Sequence, residues 1–170
     1  MEENNNIKEV SGETEIAYDK VRKIHKQVFT EMMAYKDSLS YLNNEEAYNN
    51  IKKVVDYFKE KVLYHFDWEE QKVFPIALAI GDLNYKQIVR ELQMQHILII
   101  SKFDIIADII FRYGFSFTDE KIKNEFIRVS KEMIGLILQH AQKEDADLFP
   151  FLENKGIKLD LRNGGRDMSR

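Results

Sequence analysis

The chain has 170 residues, 44% hydrophobic and 32% charged, with a formal net charge of -4 and no cysteine. That length suits one domain around one core, and the acidic balance offers no basic field for a nucleic-acid backbone. The missing thiols exclude disulfides, thiolate ligands and a cysteine nucleophile.

The first twelve residues are polar and acidic, with no apolar run of the kind a signal peptide needs, and residues 1–12 are expected to be flexible. Four long segments follow, at 13–42, 45–80, 83–113 and 118–152. In the first, Tyr18, Val21, His25, Val28, Phe29 and Met32 share one face. In the second, Val55, Phe58, Val62, His65 and Glu69 do. The third aligns Val89, Leu92, His96, Ile99, Ile100 and Phe103, and the fourth Phe126, Val129, Met133, Ile137, His140 and Glu144. Apolar residues at three- and four-residue spacing predict amphipathic helices, and no segment alternates with the period of a strand.

Asn43 and Asn44 ahead of Glu45 and Glu46, Asp82 after Gly81, and Thr118 ahead of Asp119 and Glu120 supply N-caps and first-turn acids. Short connections make neighbours antiparallel, so the predicted fold is all-α, an up-down-up-down four-helix bundle over residues 13–152. The polar stretch 153–170 is expected to be a flexible tail. The most apolar stretch, 97–111, contains Lys102, Asp104 and Asp108, too charged and too short to cross a bilayer. A cytoplasmic protein free of membrane and nucleic acid is the expectation.

One phrase occurs twice: HFDWEEQKVFP at 65–75 and HAQKEDADLFP at 140–150. Each has a histidine, an acid four residues on, a second acid next to it, and Phe-Pro at the end. Pro75 and Pro150 are the only prolines, and the remaining histidines, His25 and His96, precede the phrases by 40 and 44 residues. Every histidine interrupts an apolar stripe.

Helical phase and depth bring these residues to one place. A step of four residues turns only about 40° round a helix, so His65 faces with Glu69 and His140 with Glu144. Glu70 and Asp145 point about 100° away and are assigned to the solvated rim. At about 1.5 Å per residue, all four histidines lie roughly 25–35 Å from their turns, at one level of an antiparallel bundle. Burying four imidazoles and two carboxylates without a partner costs several kcal/mol each, and a metal pair removes that penalty. Nitrogen and oxygen donors without sulfur suit Fe, Mn or Zn. Phe74 and Phe149 are expected to cap the core below the site, and Pro75 and Pro150 to kink or end their helices.

His25, His65 with Glu69, His96, and His140 with Glu144 form the pattern of a histidine followed by His-x-x-x-Glu, given twice. In this the chain resembles the hemerythrin-like, or HHE cation-binding, proteins. The resemblance covers 13–152 and implies a non-heme centre of two iron ions, ligated by these six residues, with Glu69 and Glu144 and a solvent-derived oxo or hydroxo group as bridges. Mn or Zn are the lesser alternatives. Ferritin-like proteins use Glu-x-x-His, whereas Arg22, Val62, Gln93 and Ile137 stand three before each histidine here. The five-histidine oxygen carriers have a His-x-x-x-His on the third helix, whereas Leu92 and Ile100 flank His96 at that spacing.

With four histidines, each metal keeps one open position, which favours reaction with NO, O2 or peroxide, unless Tyr18 or Tyr64 supplies an oxygen ligand. The set is similar to that of the repair-of-iron-centres proteins, which act on NO under nitrosative stress. Their cysteine-bearing N-terminal segment is missing here, and Gln95 stands where they often carry an acid, which weakens a transfer of iron-repair activity. The leading expectation is a di-iron protein that reacts with a small diatomic or peroxide in a stress response, fed by an electron donor the sequence does not identify. Gas would enter between apolar walls such as Val28, Phe29, Ile99 and Ile100. The alternative is an O2 or NO sensor, carrier or iron store without turnover, the sensor disfavoured because no signalling domain is appended. A metal-free helical interaction protein is the third reading. The oligomeric state is not legible.

Overall fold

The computed structural model describes residues 6–114 and 117–159, with side chains from Tyr18 onward. Among them are four long helices. Helix α1 is Asn6–Ser38; residues 1–5 of the segment expected to be flexible lie outside the described residues. It stops four residues before the predicted end at 42, because Leu39 and Leu42 turn inward, each 5% exposed, and the turn at 39–44 closes with the Asn44 amide donating to the Tyr41 carbonyl.

Helix α2 covers 45–80, built from an α-segment Glu45–Tyr57, a wide π-turn Phe58–Val62, an α-segment Leu63–Trp68, a second π-turn Glu69–Val73 and a last α-segment Phe74–Ile80. Asn44 caps it, its side-chain oxygen accepting from the Glu46 amide at 2.8 Å. Helix α3, Leu83–Tyr113, is capped by Asp82, which accepts from the amides of Asn84 and Tyr85. The two-residue link between α2 and α3 needs glycine: a Cβ on Gly81 would lie 2.6 Å from the Ala77 carbonyl oxygen. Helix α4 covers 120–154, as Glu120–Lys143, a π-turn Glu144–Leu148 and Phe149–Asn154. Asp119, not Thr118, is its cap, because its carboxylate stands one residue before the first turn and reaches the Lys121 amide at 2.7 Å.

Neither proline ends its helix. Pro lacks an N–H and its ring collides with the carbonyl four residues back. Each helix relieves both problems by widening the turn ahead: the Phe74 amide donates to the Glu69 carbonyl and the Phe149 amide to the Glu144 carbonyl, five residues back. The α-helix then restarts with Pro in its first turn, where a missing donor costs nothing.

Helix α1 packs against α2 and α4, and α3 against α4 and the end of α2, the neighbour relations of an up-down-up-down bundle. The apolar core falls into two clusters. One includes Val28, Met32, Phe58, Phe66, Ile99, Phe103, Met133 and Ile137. The other includes Tyr18, Val21, Trp68, Phe74, Leu92, Leu148 and Phe149. On three of the four helices the stripe histidine sits at the boundary between clusters: His25 between Val21 and Val28, His96 between Leu92 and Ile99, and His140 between Ile137 and Leu148. His65, next to Phe66, stands between Val62 and Trp68.

The first residues of the expected tail are docked. Arg22 holds Glu153 through two hydrogen bonds of 3.1 and 2.6 Å, Tyr18 donates to the Ile157 carbonyl at 3.0 Å, and Leu159 is buried in the second cluster. Gly156, at φ 68°, makes the reversal in a left-handed conformation that other residues resist. Residues 160–170 lie outside the described residues. Among the described residues, no helix is long and apolar enough to cross a membrane.

Candidate metal centre

All six residues singled out by the sequence meet in one layer. Glu69 and Glu144 are fully buried, and His25, His65, His96 and His140 are nearly so. The imidazoles form two pairs through their Nε2 atoms: His25 and His65 at 3.1 Å, and His96 and His140 at 3.1 Å. Glu69 reaches both pairs with different oxygens. Its Oε1 lies 2.7 Å from His65 Nε2, and its Oε2 lies 3.1 Å from His96 Nε2 and 3.6 Å from His140 Nε2. Oε2 of Glu144 stands 3.3 Å from His25 Nε2 and 3.5 Å from His140 Nε2.

The donors fall into two groups compact enough for an ion each: His25, His65, Glu69 and Glu144, and Glu69, His96 and His140. Glu69 belongs to both. Glu69 Oε1, both Glu144 oxygens and His65 Nδ1 are buried without a hydrogen-bond partner. Interiors seldom tolerate such orphans, and carboxylate oxygens that crowd imidazole nitrogens without a well-aligned hydrogen bond are what a cation between them would satisfy. Two nitrogens about 2.1 Å from one ion and at right angles stand about 3 Å apart, the separation within each histidine pair. The donor set therefore fits metal.

The electrostatics of the metal-free layer point the same way. Burial by itself would push His25 down, but Asp145 and Glu144 outweigh it and raise the imidazole to about 10. Burial also opposes the proton on His140, and there too Glu144 and Glu69 win and raise it. Burial would raise Glu69, yet the imidazoles of His65, His140 and His96 hold its carboxyl well below the usual range. Buried carboxylates thus recruit protons onto imidazoles, and a metal would release them on binding.

Residues 16–152 match the model of the hemerythrin family, described as the hemerythrin HHE cation binding domain. The chain belongs to that family. No curated protein and no solved structure matches it significantly, so the family assignment rests on this match. The helical hemerythrin fold is as the sequence predicted, and the His/Glu clusters are of a kind that could hold metal ions.

Within the hemerythrin domain, aromatic plates hold the imidazoles. Phe149 stacks on His25 at 5.8 Å, Trp68 on His65 at 5.9 Å, and Phe66 and Phe74 on His96 at 3.9 and 5.4 Å. Phe74 and Phe149 therefore touch the site itself and do more than cap the core beneath it.

Two expectations need correction. Glu70 and Asp145 are partly exposed, as rim residues should be, but they are not bystanders. Glu70 Oε1 lies 2.9 Å from His96 Nδ1, and Asp145 Oδ1 lies 2.9 Å from His25 Nδ1. A direction 100° off the stripe leads to the flank where the next helix packs, and the π-turn that starts at the preceding residue breaks the α-helical phase. The recurring second acid was the available signal. Phe29 and Ile100 do not wall the interior, being 54% and 36% exposed, whereas Val28 and Ile99 are buried. Tyr18 uses its hydroxyl on the Ile157 carbonyl. The sequence reading gave no contact to Gln95, whose Oε1 lies 3.3 Å from His140 Nδ1, or to Gln93, which donates to Glu70 at 2.7 Å.

Proposed function

We propose that this hemerythrin domain holds two iron ions and uses them to bind or reduce a small diatomic or peroxide: NO, O2 or H2O2. The observation that carries the proposal is Glu69, a fully buried carboxylate that extends one oxygen to each histidine pair. His25 and His65 would help hold one ion, and His96 and His140 the other, with Glu69 offered to both and Glu144 to the first. Nitrogen and oxygen donors without sulfur suit iron. Mn or Zn would meet the same donors, but Zn offers no redox chemistry. Iron, when bound, would supply electrons and a position at which the small molecule binds.

The chain's own residues prepare that chemistry. Phe66, Trp68, Phe74 and Phe149 keep water from the imidazoles, and in such a dry setting charge interactions are stronger than in solvent. A role in nitrosative or oxidative stress, in the cytoplasm and fed by a separate electron donor, agrees with this reading.

The test is anaerobic purification after growth in iron-replete medium, iron analysis per chain, and titration of the reduced protein with O2 and then NO. Absorption and reductant consumption are followed together. Two irons with reductant consumed beyond stoichiometry support the proposal. Reversible, stoichiometric spectra favour a carrier, sensor or store without turnover, and less than one metal per chain overturns both.

A further inference from the structure

Each single histidine of the layer is gripped at both nitrogens by adjacent acids of one phrase. Glu69 approaches His96 Nε2 at 3.1 Å while Glu70 approaches Nδ1 of the same ring at 2.9 Å. In the second phrase Glu144 approaches His25 Nε2 at 3.3 Å while Asp145 approaches Nδ1 at 2.9 Å. The phrase on α2 thus reaches α3, and the phrase on α4 reaches α1. Neither phrase gives its second acid to its own histidine: Nδ1 of His65 is buried without a hydrogen bond, and Nδ1 of His140 turns to Gln95.

We infer that Glu70 and Asp145 are positioning residues that lock the tautomer and ring angle of His96 and His25, so that Nε2 of each presents its lone pair to the metal. A neutral imidazole carries one proton, and whichever nitrogen lacks it can ligate. A carboxylate accepts but cannot donate, so at Nδ1 it fixes the proton there and leaves Nε2 bare. The hydrogen bond to an anion also makes the ring a stronger donor to metal. Glu70 is itself held, since its second oxygen accepts from Gln93 Nε2 at 2.7 Å. Gln93 and Arg22 stand three residues before His96 and His25, but they differ: Arg22 is committed to Glu153. The contact from acid to Nδ1 is made in both places, with Gln93 holding the acid in the first, which leaves the acid as the shared working part.

The inference rests on the metal-pair reading, and the experiment separates the two. Co(II) alone is titrated into the full-length metal-free protein and into Glu70→Met, Glu70→Gln, Asp145→Leu and Asp145→Asn, with Glu120→Gln as an exposed control for the lost charge. Met and Leu remove the acceptor, and affinity should fall by about 10- to 100-fold. Gln and Asn keep a carbonyl acceptor and should recover part of it, while the control should match the parent. In the Zn(II)-loaded protein with 15N-labelled histidine, the slowly exchanging Nδ1–H signals of His25 and His96 should vanish in the Asp145→Leu and Glu70→Met variants respectively. In the amide variants they should persist at a weaker hydrogen-bond shift. If a Met or Leu variant does not fold, the amide variants decide by that shift alone. Parent-like affinity with unmoved Nδ1–H signals overturns the brace and leaves the metal pair standing. Failure of the parent to take up Co(II) overturns both.

Discussion

The two halves of the layer are alike in their donors and unlike in what surrounds them. On the His96 side, two phenyl groups stack on the ring, from Phe66 and Phe74, and Nδ1 of both histidines has a side-chain partner, Glu70 or Gln95. On the His25 side, Phe149 stacks on the ring, the position matching Phe66 in the repeat is Ala141, and His65 Nδ1 is unpartnered. The difference teaches that the repeat preserves the candidate ligands and lets the support diverge. The His25 side has more carboxylate in its candidate ligand group; the His96 side has the firmer frame.

The largest effect should come from the carboxylates. Glu69 belongs to both donor groups and Glu144 to one, so Glu69→Ala should lose both ions, whereas Glu144→Ala should lose the ion on the His25 side first. Iron per chain after dialysis reads this directly, and equal loss in the two variants would erase the distinction. Next is the aromatic frame. Phe66→Ala should destabilise the protein by about 3–5 kcal/mol, measured by chemical denaturation, and should leave His96 with one plate, as His25 has now.

Acidity should separate the halves more gently. An imidazole titrates near 6.5 in an unfolded chain, and His25 at about 10 in the folded metal-free protein. Its stabilising contribution is therefore complete below about pH 6.5 and lost as the pH climbs toward 10. Glu69 is depressed, so its contribution is present above about pH 4.3 and lost as the pH falls further. Denaturation midpoints of the chelated protein should be higher near about pH 5.5 than near about pH 9.5. Asp145→Asn should move the alkaline loss to lower pH, and bound metal should abolish it by taking the proton's place. The smallest effect is expected from Gln95→Ala, which removes one hydrogen bond worth about 1 kcal/mol. A loss of roughly five-fold in metal affinity on the His140 side should follow.

Much of this was legible in the sequence because helices report their buried face through spacing. The histidines at 25, 65, 96 and 140 sit in phase with apolar neighbours, and the residues Asn44 and Asp82 mark helix starts by chemistry that is local. The boundaries of α2 and α3 followed from those marks, while α1 ended early because burial of Leu39 and Leu42 is a tertiary preference that periodicity does not encode. The candidate metal layer was readable as far as ideal α-geometry holds. It ceases to hold at Glu69 and Glu144, where π-turns begin, and it is there that the acids at 70 and 145 were assigned to the solvated rim and given no partner. Phe-Pro was visible but was taken as a kink or a stop, since the rule that proline breaks a helix says nothing of a helix that widens first. Docking of Glu153 and Ile157 onto Arg22 and Tyr18 depends on contacts more than 130 residues apart in sequence, beyond any local pattern.

The polar layer between the two apolar clusters has a further consequence for how the molecule opens. Amide protection in a bundle follows cooperative units, and a unit is bounded where packing is interrupted. In the metal-free protein, the clusters around Phe58 and around Phe74 meet across imidazoles and carboxylates held partly by shared protons. Hydrogen exchange should then resolve two protection classes, with Val28, Phe103 and Met133 exchanging on one free-energy scale and Val21, Leu92 and Leu148 on another. Filling the layer would fuse them, so that the ions act as the rivet that makes two short bundles open as one.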